Sequence, residues 1–137
     1  RDVFAPLAAR LLNGLNPRLL GPPPQTYKLL DVPRPREDRD AVVGEVLYVD
    51  HFGNLVSNLP ADILYRRWQN PQRTLVSCAG RNIGPPVTSY AHVAPGELLA
   101  LINSMGLLEI AVNQGRACDV LSAGVGEEVR VQRVEEV

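Results

Sequence analysis

The chain has 137 residues, 45% apolar, 21% charged and 5% aromatic, enough for one domain with a real core and no staples. Fourteen basic and fifteen acidic residues leave a formal charge of −1, which argues against binding nucleic acid through a basic face. Two cysteines without CxxC spacing (Cys78, Cys118) and two histidines (His51, His92) exclude a disulfide framework and a multi-His metal centre, and fit a reducing cytoplasm.

In chain order, Val3, Leu7, Leu11 and Leu15 recur at helical spacing, with Asp2 as candidate N-cap and Gly14 as stop. Pro17 to Pro35 holds six prolines, Pro22-Pro23-Pro24 among them. Rings that fix φ and remove donors make this an extended connector. Arg34 to Asp40 reads as a solvated loop, and a domain boundary is placed so that residues 1–40 are helix plus connector and residues 41–137 a second domain. AVVGEVLYVD and LVSNL read as strands around a turn at His51-Phe52-Gly53-Asn54. Pro60 takes a helix N1 position before Ala61–Trp68. RTLVSCAG is a strand, RNIGPPVTSYAHV a loop with a short strand, and GELLALINS and LLEIAVNQG two strands joined at Met105-Gly106. Arg116–Leu121 reads as one helical turn and EEVRVQRV as an alternating strand with Val129, Val131 and Val134. Short strands separated by tight turns predict a mainly β fold, a closed or nearly closed antiparallel barrel preceded by a helix and a Pro-rich connector. No stretch of about 18 apolar residues occurs, so no membrane helix is expected.

Polar groups gather where predicted strands end in Gly-containing turns: Asp50, Asn54, Asn58 and Ser104. Asp50 can hold an ammonium, the two amides a heterocyclic edge, and Ser104 beside Gly106 a carboxylate. Phe52 and Tyr90 offer flat apolar faces. The set suits a zwitterionic, ring-bearing small molecule. It equally suits ordinary turn chemistry, because Asp and Asn bond to local backbone and tolerate left-handed conformations, while Phe52, Tyr90 and Trp68 also fit core packing. Glu109 in LLEIAV is an acid among apolar neighbours, either on a strand's outer face or paired at an interface.

The order of the segments carries more. Gly44-Glu-Val-Leu-Tyr-Val-Asp50-His-Phe-Gly-Asn54-Leu-Val-Ser-Asn58 resembles the G-x-V-x-x-x-D-x-F-G-N-x-x-x-N signature of the S-adenosyl-L-methionine hydroxide adenosyltransferase family, relatives of the fluorinase and chlorinase. Ser89-Tyr90, Gly96-Glu97, Asn103-Ser104-Met-Gly106-Leu-Leu-Glu109-Ile-Ala-Val-Asn113 and Ala117 resemble its second signature, and Arg1-Asp-Val-Phe-Ala-Pro6 is similar to the end of an N-terminal one. The resemblance implies the C-terminal barrel of a two-domain protein with the last helix of the domain before it, and active sites shared between neighbouring subunits of a homotrimer.

The implied reaction is in-line attack of water-derived hydroxide at the ribose C5′ of S-adenosylmethionine, giving adenosine and L-methionine, with no cofactor. By motif position Asp50 holds the methionine ammonium and Ser104 its carboxylate. Phe52 and Tyr90 pack on the adenosine, Asn54 bonds the adenine, and the backbone of Val112, Asn113 and Gln114 reads the remaining edge. Met105 stands where halogenating relatives carry an Arg, which favours hydroxide. The family's water-activating Asp, Arg and His match no position here, so this chain by itself is expected to be inactive. Alternatives are a non-catalytic S-adenosylmethionine or adenosine sensor, a halide-using adenosyltransferase, and a trimerisation domain whose Asp and Asn only shape turns. No nucleic-acid or membrane partner is expected.

Overall fold

The computed structural model describes residues 2–70 and 73–134; Arg1, the first residue of the opening motif, lies outside them. The chain divides into two units, one ending at Asp31 and the other starting at Val32. In the first, α1 (Phe4–Leu12) is followed by a 3-10 turn at Pro17–Leu20. Asp2 is not its cap: Val3 occupies the N-cap position without a side-chain bond. At the other end Asn13 Nδ2 donates to Ala9 O, and Gly14 at φ +88° stops the helix. No residue of α1 is buried.

Residues 32–40, read from sequence as connector, belong to the second unit. Arg36–Glu37 forms β1, a short strand paired with β2 (Ala41–Val49) rather than a solvated loop. There follow β3 (Leu55–Pro60), α2 (Ala61–Arg67), β4 (Thr74–Cys78), β5 (Arg81–Gly84) and β6 (Pro86–Val87). The chain continues with β7 (Leu98–Ile102), β8 (Leu107–Val112), α3 (Ala117–Leu121) and β9 (Glu128–Arg133). Pro60 ends β3 opposite Leu107 and is the N-cap of α2, one place before the expected N1.

The sheet order is β5-β4-β9-β2-β3-β8-β7-β6, with β1 beside β2. Among the described strands every pairing is antiparallel except that of β6 with β7. The barrel is nearly closed, with one unsealed seam between β5 and β6. The seam has a local cause. Pro85 and Pro86 stand there without N–H donors, and a strand that cannot donate is confined to an edge.

The interior is filled by Val42, Val46, Leu55, Leu59, Val76, Leu108, Ile110, Val129 and Val131, closed at the ends by Leu64 of α2 and by Ala117 and Leu121 of α3. Trp68 packs against this core, as its helical spacing with Ile63 and Leu64 predicts. Val134 does not continue the inward alternation of β9; it lies beyond the strand and is exposed. Cys78 and Cys118 are both free thiols. Among the described residues no helix is long and apolar enough to cross a membrane.

Two side chains repair the ladder where β3 leaves its neighbours. At the break between Val56 and Pro60, Ser57 Oγ donates to Leu108 O at 2.7 Å and accepts from Leu59 N. On the β2 side, Asn58 Oδ1 accepts from Glu45 N and Nδ2 donates to Pro33 O, both at 2.9 Å. Asn58, a candidate ligand group by sequence, is therefore a buried bridge between β2 and the incoming segment. Gly44 is its counterpart: a Cβ there would stand 2.1 Å from Asn58 Oδ1 and 2.7 Å from Leu59 Cδ2. Gly44→Ala is expected to cost about 1–3 kcal/mol by overpacking. Asn58→Ala, which strands a buried donor and an acceptor, is expected to cost about as much. Urea unfolding checks both, and the double substitution should fall short of their sum because removing Asn58 relieves part of the clash.

Candidate functional site

Three loops carry the candidate residues, with the β2–β3 turn where β3 begins beside the end of β8, and the β7–β8 turn at the other end of those strands, where Ala61 N donates to Gly106 O. The first is the β2–β3 turn, residues 50–54. Asp50 N donates to Asn54 O and Gly53 N to Asp50 O. The Asp50 carboxylate closes the turn again, Oδ1 accepting from Asn54 N and Oδ2 from Asn54 Nδ2, each at 2.9 Å. Gly53 is demanded twice, by φ +85° and by Arg116, whose Cβ lies 2.8 Å from where a Gly53 Cβ would be. Arg116 Nη1 also donates to His51 O, its Nε bonds Asp119 Oδ2, and Cys118 N donates to Gly53 O. The start of α3 therefore braces the turn from behind. Phe52, at its tip, is 72% exposed, its ring edge-to-face with that of His51, which excludes the core reading for this ring.

The second loop joins β7 to β8. Asn103 Oδ1 accepts from Met105 N and Leu107 N, Gly106 N donates to Asn103 O, and Gly106 adopts φ +75°. Ser104 and Met105 are exposed on this frame.

The third is the crossover from β6 to β7, where Ser89 Oγ caps a 3-10 turn at Tyr90–His92 by accepting from Ala91 N. Tyr90, 39% exposed, donates from Oη to Glu109 Oε1 at 2.8 Å and accepts from Asn54 Nδ2 at 3.3 Å. Burial first, then the Glu109 carboxylate, push its phenol up to about 12.

Phe52, Asn54, Tyr90, Val112, Gln114 and Gly115 line one cavity of about 460 Å³. Cavities of similar size occur elsewhere, for example one lined by Leu64, Tyr65 and Val87, so chemistry rather than volume distinguishes this one. Two aromatic rings face it together with an amide whose orientation is fixed. Asn54 gives its NH₂ protons to Asp50, which can only accept, and to Tyr90. Its Oδ1 is the acceptor left for a ligand. Asp50, Ser104 and Asn113 are not part of that lining. Asn113 is heavily used inside the chain: its N–H goes to Glu97 O, its C=O accepts from Gly96 N, and its Nδ2 donates to Val93 O. Gln114 beside it is held at φ +57°. Among the described residues no group of three or more His, Cys, Asp or Glu side chains is placed to hold a metal.

Sequence reasoning passed over Asn103 and Arg116 and left Glu109 between two readings. Glu109 does lie on the outer face of β8, opposite Leu108 and Ile110, but it is not solvated there. It is 6% exposed and hydrogen-bonded within the chain, to Tyr90 Oη and Asn103 Nδ2. The lone acid in LLEIAV was the signal.

Because folding holds the Tyr90 proton more tightly than the ordinary value of 10.0, the stability gained from it is complete below pH 10 and disappears as pH climbs through about 12. Thermal melts between pH 9 and 12 should therefore fall more steeply for the natural chain than for Tyr90→Phe.

Residues 44–130 match the family model for the SAM hydroxide adenosyltransferase C-terminal domain. A curated Salinispora tropica protein named (R)-S-adenosyl-L-methionine hydrolase is 40% identical over 133 residues, 96% of this chain and 49% of the relative. A Thermus thermophilus protein of the same name is 38% identical over 96% of this chain and 47% of its own length. The chain thus spans about half the length of the curated relatives it matches. A crystal structure of an uncharacterized conserved protein from Thermotoga maritima superposes with a TM-score of 0.75 at 36% identity, covering 97% of this chain and 51% of that one.

Proposed function

The chain belongs to the S-adenosyl-L-methionine hydroxide adenosyltransferase C-terminal domain family, and we propose that it is the substrate-binding part of an enzyme that converts S-adenosylmethionine to adenosine and L-methionine. The observation that carries this reading is the cavity in which exposed Phe52 and half-buried Tyr90 flank the fixed acceptor Asn54 Oδ1. An adenine presents two flat faces and an exocyclic amino donor, which those groups match. Base–aromatic stacking supplies about 1–3 kcal/mol per ring. Asp50 keeps lone pairs for the methionine ammonium, a charge-assisted bond of about 1.5–3 kcal/mol, and Ser104 with the exposed β7–β8 turn takes the carboxylate.

In the reaction, hydroxide oxygen bonds to C5′ as the C5′–S bond breaks. The electron pair passes to the sulfonium, and methionine leaves as a neutral thioether. The groups that deprotonate the water come from residues outside this chain. A neighbouring copy in a homotrimer completes the site, a reading supported by the exposure of Phe52 and Met105 beside it. Met105, unable to offer the second cationic contact of an Arg, favours hydroxide over a halide nucleophile.

Product analysis tests the proposal. The full-length protein incubated with S-adenosylmethionine should release adenosine and methionine in equal amounts, unchanged by chloride or fluoride, while the 137-residue chain alone should turn over nothing. A 5′-halogenated adenosine would assign the halide branch, and binding without product would assign a sensor. Asp50→Asn and Tyr90→Ala should each raise KM at least tenfold.

A further inference from the structure

Glu109 is where the two turns meet. Across the ladders it faces Val56 of β3 and Leu101 of β7, both buried and apolar, so its carboxylate has no solvent to rely on. It obtains two donors from opposite directions. Oε1 accepts from Tyr90 Oη at 2.8 Å, and Oε2 accepts from Asn103 Nδ2 at 3.2 Å.

A phenol has one proton. Once Tyr90 spends it on Glu109, Oη must accept from Asn54 Nδ2, whose other amide proton goes to Asp50. On the far side Asn103, with its NH₂ on Glu109, turns Oδ1 to the N–H groups of Met105 and Leu107. Five side chains, Asp50, Asn54, Tyr90, Glu109 and Asn103, thus form one chain of bonds whose donor direction is set by a group that only accepts.

We propose that Glu109 is a positioning residue that locks the Asp50–Asn54 turn and the Asn103–Gly106 turn into a single ligand face. On the adenosyltransferase reading, on which the identity of the ligand ends rests, the lock sets the spacing between the adenosine end and the methionine carboxylate. The lock itself does not depend on that identity.

Glutamine at this position is isosteric but brings a donor. If its NH₂ meets Tyr90, the phenol proton must turn toward the Asn54 NH₂. If it meets Asn103, that amide must invert and present NH₂ to the N–H groups of Met105 and Leu107. Either way one turn is cut loose from the other.

The test uses the full-length protein with Glu109→Gln, and Tyr90→Phe as a second variant that breaks the same chain without touching the carboxylate. Without ligand, hydrogen exchange in Glu109→Gln should accelerate at residues 50–54 and 103–107 together, with little elsewhere in the barrel. Adenosine and L-methionine, each titrated alone, should both bind about tenfold more weakly, and KM for S-adenosylmethionine should rise more than kcat falls. Tyr90→Phe should also weaken L-methionine, although Tyr90 lines the adenosine cavity. Acceleration at one turn only, or unchanged L-methionine affinity in a folded Tyr90→Phe, overturns the lock. If the natural protein binds neither adenosine nor L-methionine, the adenosyltransferase reading falls and the exchange result alone decides the lock.

Discussion

A carboxyl group buried on the outer face of β8 has to be given hydrogen bonds, and the way Glu109 obtains them shapes everything around the cavity. An unpaired buried charge costs several kcal/mol, so the fold cannot leave Tyr90 and Asn103 free to point elsewhere. Tyr90 is drawn to β8 from the β6–β7 crossover, Asn103 is drawn back from the β7–β8 turn, and Asn54 is oriented through Tyr90. β8 can sustain this because its other face, Leu108, Ile110 and Val112, is anchored in the barrel core. One strand serves packing on one side and polar order on the other.

The same logic explains why two glycines and an asparagine recur in the first signature. Gly44 leaves room for Asn58, which carries hydrogen bonds between β2 and the incoming segment where β3 has diverged. Gly53 leaves room for Arg116 and accepts a positive φ that a side chain would strain. Half of a motif that looks like a ligand site is thus the scaffold that aims the other half. Asp50 belongs to both, since its carboxylate shapes the turn and keeps lone pairs on the side away from Asn54.

How much of this was legible in the sequence depends on the range of the interaction. The strands announced themselves through period-two apolar residues, and the turns through Gly and Asn, because both signals are local. The short β1 was not legible: Arg36 and Glu37 have no strand character, and their pairing is dictated by the Val42–Val43 stretch of β2, which β3 leaves open because it pairs only from Val46 onward. Asn58 was legible as polar but not as structural, since its partners lie 13 and 25 residues away. Glu109 was visible as an anomaly, yet only the fold reveals that Tyr90, 19 residues earlier, supplies its donor. Phe52 read first as core and second as ligand face, and its exposure at the tip of a braced turn overturns the core reading.

On the adenosyltransferase reading, the residues of this chain hold groups that do not change during the reaction. The ammonium, the carboxylate and the adenine carry the same charge in S-adenosylmethionine as in the products; only the sulfonium and the hydroxide are neutralised. Interactions equal in ground and transition state strengthen binding without lowering the barrier from the bound complex. Their catalytic worth is then geometric. Fixing adenine at one end and the amino acid at the other leaves the C5′–S bond in a defined line for attack, and such orientation is worth several kcal/mol when the two ends cannot drift. A barrel that joins its two ligand turns through a buried carboxylate is built for that task, and the charge-changing chemistry falls to groups that approach from the open side of the cavity.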